Sequence, residues 1–188
     1  MKFQIVFLSI CLCLFGSPVL GQEASSALKQ VNELLEINET DKAILVLNKA
    51  IHDEPENAEL YSMRGPLLAS KKQLKAAMKD HNKVIDLASK GKVDSLTVAN
   101  AYLNKALVEN RWNYFKAAET NFKKAIDARP DFFLPHLEYA KFLVQTKKPK
   151  LAIPEYMKAK DFAKGHTTTE RLNAIDNLLN EAKTTCEN

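Results

Sequence analysis

The stretch LNKAIHDEPEN at residues 47–57 is spelled a second time as FKKAIDARPDF at 122–132. Each begins with a large apolar residue and continues through two polar residues and Ala-Ile. A polar run then leads into proline and an acid. Looser copies follow as HNKVIDLASK (81–90) and YMKAKDFAK (156–164), so the starts step from 47 to 81 and from 122 to 156. The middle step, from 81 to 122, is longer, because a seven-residue insertion lies within ASKGKVDSLT (88–97). A repeat of about 34 residues is the length of one helix pair, and such pairs bury their apolar faces by stacking.

Composition agrees with a helical protein. The 188 residues are 46% hydrophobic and 27% charged, as in an ordinary folded chain. Only five glycines occur, two of them (Gly16, Gly21) near the N-terminus, which leaves few for tight hairpins or phosphate-cradling loops. The segment 1–21 differs from the rest. Lys2 is its only charge, IVFLSICLCLF (5–15) is a short apolar run, and GSPVLGQ follows with Pro18 and Gly21. This is the three-part layout of a secretory signal peptide, too short for a comfortable membrane span. Cleavage is expected after Gly21, leaving Gln22 at the new N-terminus, and localisation is expected to be periplasmic or secreted. Removing this segment takes away Cys11 and Cys13, so Cys186 alone remains and no internal disulfide can form. Net charge falls from +4 to +3, because the segment carries Lys2 and no acid. That mild balance does not imply nucleic acid.

The repeated residues resemble the tetratricopeptide repeat family over about residues 24–166. Ala43, Leu47, Ala50 and Pro55 match the second helix of that pattern in unit one. Ala118, Phe122, Ala125 and Pro130 match it in unit three. Ala77, His81 and Val84, and Ala152, Tyr156 and Ala159, match it more loosely in units two and four. Tyr61 with Gly65, Tyr102 with Ala106, and His136 with Ala140 fit first helices. Small residues let two helix backbones approach, large ones at i+4 fill the groove beside them, and proline ends the second helix. The resemblance implies an all-α, right-handed α-solenoid of about four helix pairs, with units near 24–57, 58–98, 99–132 and 133–166. Residues 167–188 read as a C-terminal capping helix and tail, with an apolar stripe of Leu172, Ile175, Leu178, Leu179 and Ala182. Thr167 and Glu170 have the spacing of a capping box.

Local signals refine this outline. Asn38 and Asn113 stand at turns where the family usually has glycine, and asparagine tolerates a left-handed backbone. Lys72 and Lys147 stand there in units two and four, so those turns are expected to be strained or differently shaped. Pro66 falls inside the first helix of unit two, where it removes a backbone hydrogen bond and typically costs about 3 kcal/mol or kinks the helix. Asn38-Glu39-Thr40 is a glycosylation sequon, meaningful only in a eukaryotic secretory pathway.

No catalytic constellation emerges. His52, His81, His136 and His166 have no i+3 or i+4 partner and no cysteine pair, which argues against a metal site. His81 and His136 replace packing aromatics of the family and read as core residues. No cofactor and no enzymatic activity are expected. Lys71, Lys72, Lys75 and Lys79, and then Lys147, Lys148 and Lys150, gather at turns on one edge of a stacked array. Without interleaved aromatics in those runs they suggest at most weak contact with an anionic surface through Lys71, Lys72, Lys147 and Lys148.

In such an array the first helices line the concave side. Projecting the register inward places Asn32; Glu59, Ser62 and Met63; Asn100, Leu103, Asn104, Leu107 and Arg111; and Leu137, Glu138, Lys141 and Gln145 there. Asn100, Leu103, Asn104, Leu107, Arg111, Leu137 and Lys141 form the expected peptide-binding groove. Amides pair with an extended backbone, leucines hold side chains, and the cations meet an acid. Some family members grip a C-terminal carboxylate with lysine, asparagine and arginine on three first helices. The matching positions here hold Leu28, Asn32, Met63, Asn100 and Asn104, or, one unit on, Ser62, Pro66, Asn104, Leu134 and Glu138. Neither set carries the cations. The sequence thus predicts a monomeric, non-catalytic module that binds a protein or peptide, with a structural subunit of an envelope or secretion assembly as the alternative.

Overall fold

The computed structural model describes residues 19–91 and 93–187. Residues 1–18 of the leader-like segment, with Cys11 and Cys13, lie outside the described residues. The described chain forms α1 (Val19–Glu36), α2 (Thr40–Asp53), α3 (Ala58–Ser70), α4 (Leu74–Ser89), α5 (Ser95–Arg111), α6 (Phe115–Ala128), α7 (Phe133–Gln145), α8 (Pro149–Ala163) and α9 (Thr169–Glu187). The helices pack in consecutive pairs, α1 with α2 through α7 with α8, and α9 covers α8. The array is an all-α solenoid of four pairs with an end helix.

Helical spacing of small and large residues closes each pair. Ala43 and Leu47, Ala77, His81 and Val84, Ala118, Phe122 and Ala125, and Ala152, Tyr156 and Ala159 are all buried on the second helices. They stand at i, i+4 and i+7, one stripe of a 3.6-residue helix. Phe122 stacks on Tyr139 at a ring-centroid distance of 5.8 Å and packs at a tilt on Phe142 at 5.2 Å, joining unit three to unit four. Ala118 sits fully buried in this cluster with Ala106 and Ala140. Ala118→Phe is expected to cost roughly 1–3 kcal/mol by overpacking. A melting temperature equal to the parent's would show that the α5–α6 contact is looser than its burial implies.

The seven-residue insertion lengthens helices. α4 has 16 residues where α2 and α6 have 14, and α5 has 17 where α3 and α7 have 13. Asp94 caps the longer α5, accepting from the amides of Leu96 (2.9 Å) and Thr97 (3.0 Å) and from the Thr97 hydroxyl (2.6 Å). These bonds, the Thr97 hydroxyl foremost, hold its carboxyl below the usual aspartate range. α3 runs unbroken through Pro66. The cap of α9 falls one residue later than the spacing suggests. Its stripe still buries Ile175, Leu179 and Ala182, but Thr168 accepts the Arg171 amide at 3.4 Å, while the Thr167 hydroxyl is buried without a partner.

The four turns within the pairs share one geometry. Asn38, Lys72, Asn113 and Lys147 all have φ of 60–61°. In each turn the left-handed residue donates to the carbonyl three residues back, and the next residue donates five back. Examples are Asn38 to Leu35 (3.1 Å) with Glu39 to Leu34 (2.8 Å), and Lys147 to Val144 (3.0 Å) with Lys148 to Leu143 (2.8 Å). This double bond pattern closes a helix C-terminus. The lysine turns are therefore shaped like the asparagine ones. What they carry is the steric cost of a Cβ in the left-handed region. Lys147→Gly is expected to raise stability by about 0.5–1 kcal/mol, the relief outweighing glycine's greater unfolded-state freedom. Urea unfolding measures it, and a loss of stability would contradict the strain.

Polar cross-links join the two helices of units two, three and four at equivalent places, each just before the buried ring of the second helix. Asp80 accepts from Arg64 Nε (2.8 Å) and Nη2 (2.7 Å), and Arg64 Nη1 reaches Asn48 Oδ1 (2.7 Å). Asn121 donates to Glu109 at 2.7 Å. Glu155 meets His136 Nδ1 at 2.6 Å, while His136 Nε2 donates to the Pro130 carbonyl at 2.9 Å. Tyr61 makes the matching bond in unit two, its hydroxyl donating to the Pro55 carbonyl at 3.0 Å. His81 and His136 are both buried, in the places of packing aromatics. His81 fits because Gly65 faces it: a Cβ at Gly65 would collide with the ring.

Candidate functional site: the concave groove

The concave side is defined by which helices touch across units. α3 packs on α5 and α5 on α7, whereas no comparable packing joins α2 to α4, α4 to α6 or α6 to α8. First helices crowd together and second helices fan apart, so the first helices form the inner layer. The Asn110 amide donates to Gln145 Oε1 at 2.9 Å, bridging α5 and α7 on this layer.

α5 stands at the centre, contacting α3, α4, α6 and α7. Its alanines and Leu103, Val108 and Glu109 are consumed by those contacts. Asn100, Asn104, Leu107 and Arg111 remain, at i, i+4, i+7 and i+11, one line along the helix. Asn100, Asn104 and Leu107 are half-buried and Arg111 is exposed. Neither Asn100 nor Asn104 makes a side-chain hydrogen bond among the described residues, so both amides are open to an outside donor or acceptor.

The rest of the expected groove divides. Leu107 and Leu137 are half-buried against the core of units three and four, with one flank toward the groove. Leu103 is 5% exposed inside that core and has almost no surface for a ligand. Its assignment to the groove is corrected: α7 covers the side of α5 it occupies. Lys141 is exposed, but its ammonium donates to Glu138 at 2.7 Å, which partly cancels its charge. Arg111 has no ion pair among the described residues. The sequence reading overlooked Asn110, whose Oδ1 is buried without a partner beside its bond to Gln145. The hint was its place three residues beyond Leu107, on the edge of the same line.

The lysine edge also divides. Lys71 pairs with Asp41 at 2.8 Å and Lys148 with Glu119 at 2.9 Å, each tying one unit to the one before. Hydrogen bonds from Lys123 and then Lys148 hold the Glu119 carboxyl down at about 2. Lys72 and Lys147 are exposed at the left-handed turn positions. Among the described residues no group of three or more His, Cys, Asp or Glu side chains is placed to hold a metal ion, and no helix is long and apolar enough to cross a membrane.

This architecture, with an inner layer of first helices and a polar line along it, is similar to that of solved tetratricopeptide repeat arrays. The tetratricopeptide repeat family model matches residues 99–132, which are unit three. Solved structures share the fold at low sequence identity. Yeast Tom70 superposes with a TM-score of 0.72 and 20% identity, covering 86% of this chain and 33% of Tom70. The MamA protein does so with a TM-score of 0.62 and 16% identity, covering 89% of this chain and 90% of that one. The first such domain of Spaghetti (RPAP3), bound to the HSP90 peptide SRMEEVD, has a TM-score of 0.58 and 19% identity, covering 67% of this chain and 94% of that one.

Proposed function

We propose that this protein is an exported, non-catalytic interaction module that holds an extended peptide or protein segment along the concave faces of α5 and α7. The observation that carries this reading is the pair of unengaged amides, Asn100 and Asn104, half-buried on the inner layer beside Leu107 and Leu137. An extended backbone would satisfy those amides, and apolar side chains would cover the leucine flanks. Arg111, without an ion pair among the described residues, is the group suited to an acid of the ligand. A similar fold gripping a peptide in the Spaghetti complex supports the mode and leaves the ligand open. The cation clamp for a C-terminal carboxylate has no counterpart here, so a different segment is favoured.

Selection from a random peptide display library against the full chain tests this. Asn104→Ala with Leu107→Ala is expected to weaken a selected peptide at least tenfold, while Lys147→Glu with Lys148→Glu leaves it within twofold. The opposite pattern would rule out the groove. The alternative, a structural subunit, predicts an obligate oligomer or insolubility alone. Sedimentation of the purified chain as a stable monomer would count against it.

A further inference from the structure

The four turns within the pairs form one continuous edge, because each touches the next unit's turn. Lys71 reaches Asp41 of unit one, Trp112 lines one open cleft with residues 72–76 at the start of α4, and Lys148 reaches Glu119 of unit three. The edge carries three of the four most exposed large apolar side chains among the described residues, Ile37 at 66%, Tyr114 at 62% and Leu151 at 57%, at or just after three different turns; the fourth, Leu45 at 65%, is on α2. Phe115 adds a further exposed ring, and Trp112 tilts against Tyr114 at a centroid distance of 5.9 Å. Between them stand Lys72, Lys75, Lys116, Lys147 and Lys150, all exposed and all without an ion pair among the described residues. The acids nearby are largely neutralised, Glu39 by Lys42, Asp41 by Lys71, and Glu119 by Lys123 and Lys148. Glu36, at the unit-one end, has no such partner among the described residues. The opposite edge is acidic: Asp53, Glu54, Glu56, Glu59 and Asp94 line a cleft of about 700 Å³ between the α2–α3 turn and the start of α5.

We propose that the edge formed by Ile37, Tyr114, Phe115 and Leu151 with Lys72, Lys75, Lys116, Lys147 and Lys150 docks peripherally on an anionic lipid bilayer. Three features select a bilayer over a soluble polyanion. The cations are lysines, which act as point charges toward a diffuse negative surface, whereas paired recognition of carboxylate or phosphate favours arginine. Ile37, Tyr114 and Leu151 lie at three separate turns, and the cleft that Tyr114 and Phe115 line with Lys116 is wide open to solvent, which suits an extended interface and not a single peptide. Tyrosine and tryptophan beside lysine is the composition that settles at the headgroup level. The acidic edge faces the other way and would be repelled, which fixes orientation. Docking here is independent of the groove, which opens on the inner layer.

Trp112 is the only tryptophan in the sequence, so its fluorescence reports this edge alone. The full chain is titrated with vesicles of phosphatidylcholine and phosphatidylglycerol mixed two to one, and with vesicles of phosphatidylcholine only. The leader-like segment is unchanged in every variant, so a difference between parent and variants does not arise from it. The expected result is a blue shift of Trp112 and quenching by brominated lipid with anionic vesicles only. Lys72→Glu with Lys147→Glu should reduce partitioning at least tenfold, as should Tyr114→Ser with Leu151→Ser, and salt at about 0.5 M should weaken it. Circular dichroism confirms that both double variants keep their helices. Equal response to both vesicle types would overturn the proposal, as would no quenching by brominated lipid, or variants that bind like the parent. A Trp112 shift produced by polyglutamate or oligo(dT) at lower charge concentration than by vesicles would also overturn it, assigning the edge to a soluble polyanion.

Discussion

Asp80→Ala is expected to lower the unfolding free energy by about 3 kcal/mol, among the largest effects of any single polar substitution in the array. Asp80 is 3% exposed and receives two parallel bonds from Arg64, at 2.7 and 2.8 Å. Removing the carboxylate strands a guanidinium between α3 and α4, with Asn48, the face of the Tyr61 ring at 5.7 Å and partial access to water to compensate it. A buried pair broken from one side typically costs about 3–5 kcal/mol, because an uncompensated charge stays behind. The lower end applies because the Arg64 side chain keeps 18% exposure. Replacing both partners removes the stranded charge, so Arg64→Leu with Asp80→Leu should recover much of the loss. Urea unfolding of the single and double variants checks this. A double variant no more stable than Asp80→Ala would show that the pair contributes attraction beyond its desolvation cost.

The second large effect is a loss of stability in mild acid that traces to His81. Burial, and secondarily the nearby Lys105 charge, hold its imidazole down to about 4. The ring is enclosed, packed against Gly65, and its Nε2 has no hydrogen-bond partner. The folded state therefore keeps His81 neutral where the unfolded chain, near the ordinary value of about 6.5, takes up a proton. Because the unfolded state binds more protons, stability falls as pH drops below that value and levels off below the folded value. The expected loss from this residue is about 2 kcal/mol between pH 7 and pH 5, approaching about 3 kcal/mol below pH 4. His81→Leu should flatten the slope between pH 7 and pH 5 whatever it does to absolute stability. A slope unchanged from the parent would place the acid sensitivity elsewhere. Glu155, held low first by its bond to His136, contributes in a different window: its stabilisation is present above the ordinary glutamate range and is lost as pH falls through its folded value.

Much of the pairwise architecture was legible in the residues. The i, i+4, i+7 placement of Ala118, Phe122 and Ala125, and its echoes in the other units, specifies helices and the side each presents to its partner. That information is local, because a helix converts spacing into a face within two turns. The polar cross-links were legible in principle too: Asp80, Asn121 and Glu155 each stand immediately before His81, Phe122 and Tyr156, a polar residue where the pair closes.

The groove and the edge were only half legible, because both depend on neighbours a whole unit away. Leu103 and Leu107 have the same composition and lie on the same helix. One is in the core and the other at its margin because α7 covers one side of α5 more fully. Lys71 and Lys72 are adjacent, yet Lys71 is tied to Asp41 in the preceding unit while Lys72 is exposed. Trp112 stands a whole unit beyond Lys72 in sequence and lines the same cleft. By itself the sequence determined the helices and their pairing, since these follow from short-range spacing, whereas the common shape of the lysine and asparagine turns emerged only in the structure. The tertiary structure decided which inner side chains stay open, which lysines are engaged and which aromatics join them. Those depend on how successive pairs stack, and stacking is set by contacts between residues about one unit apart.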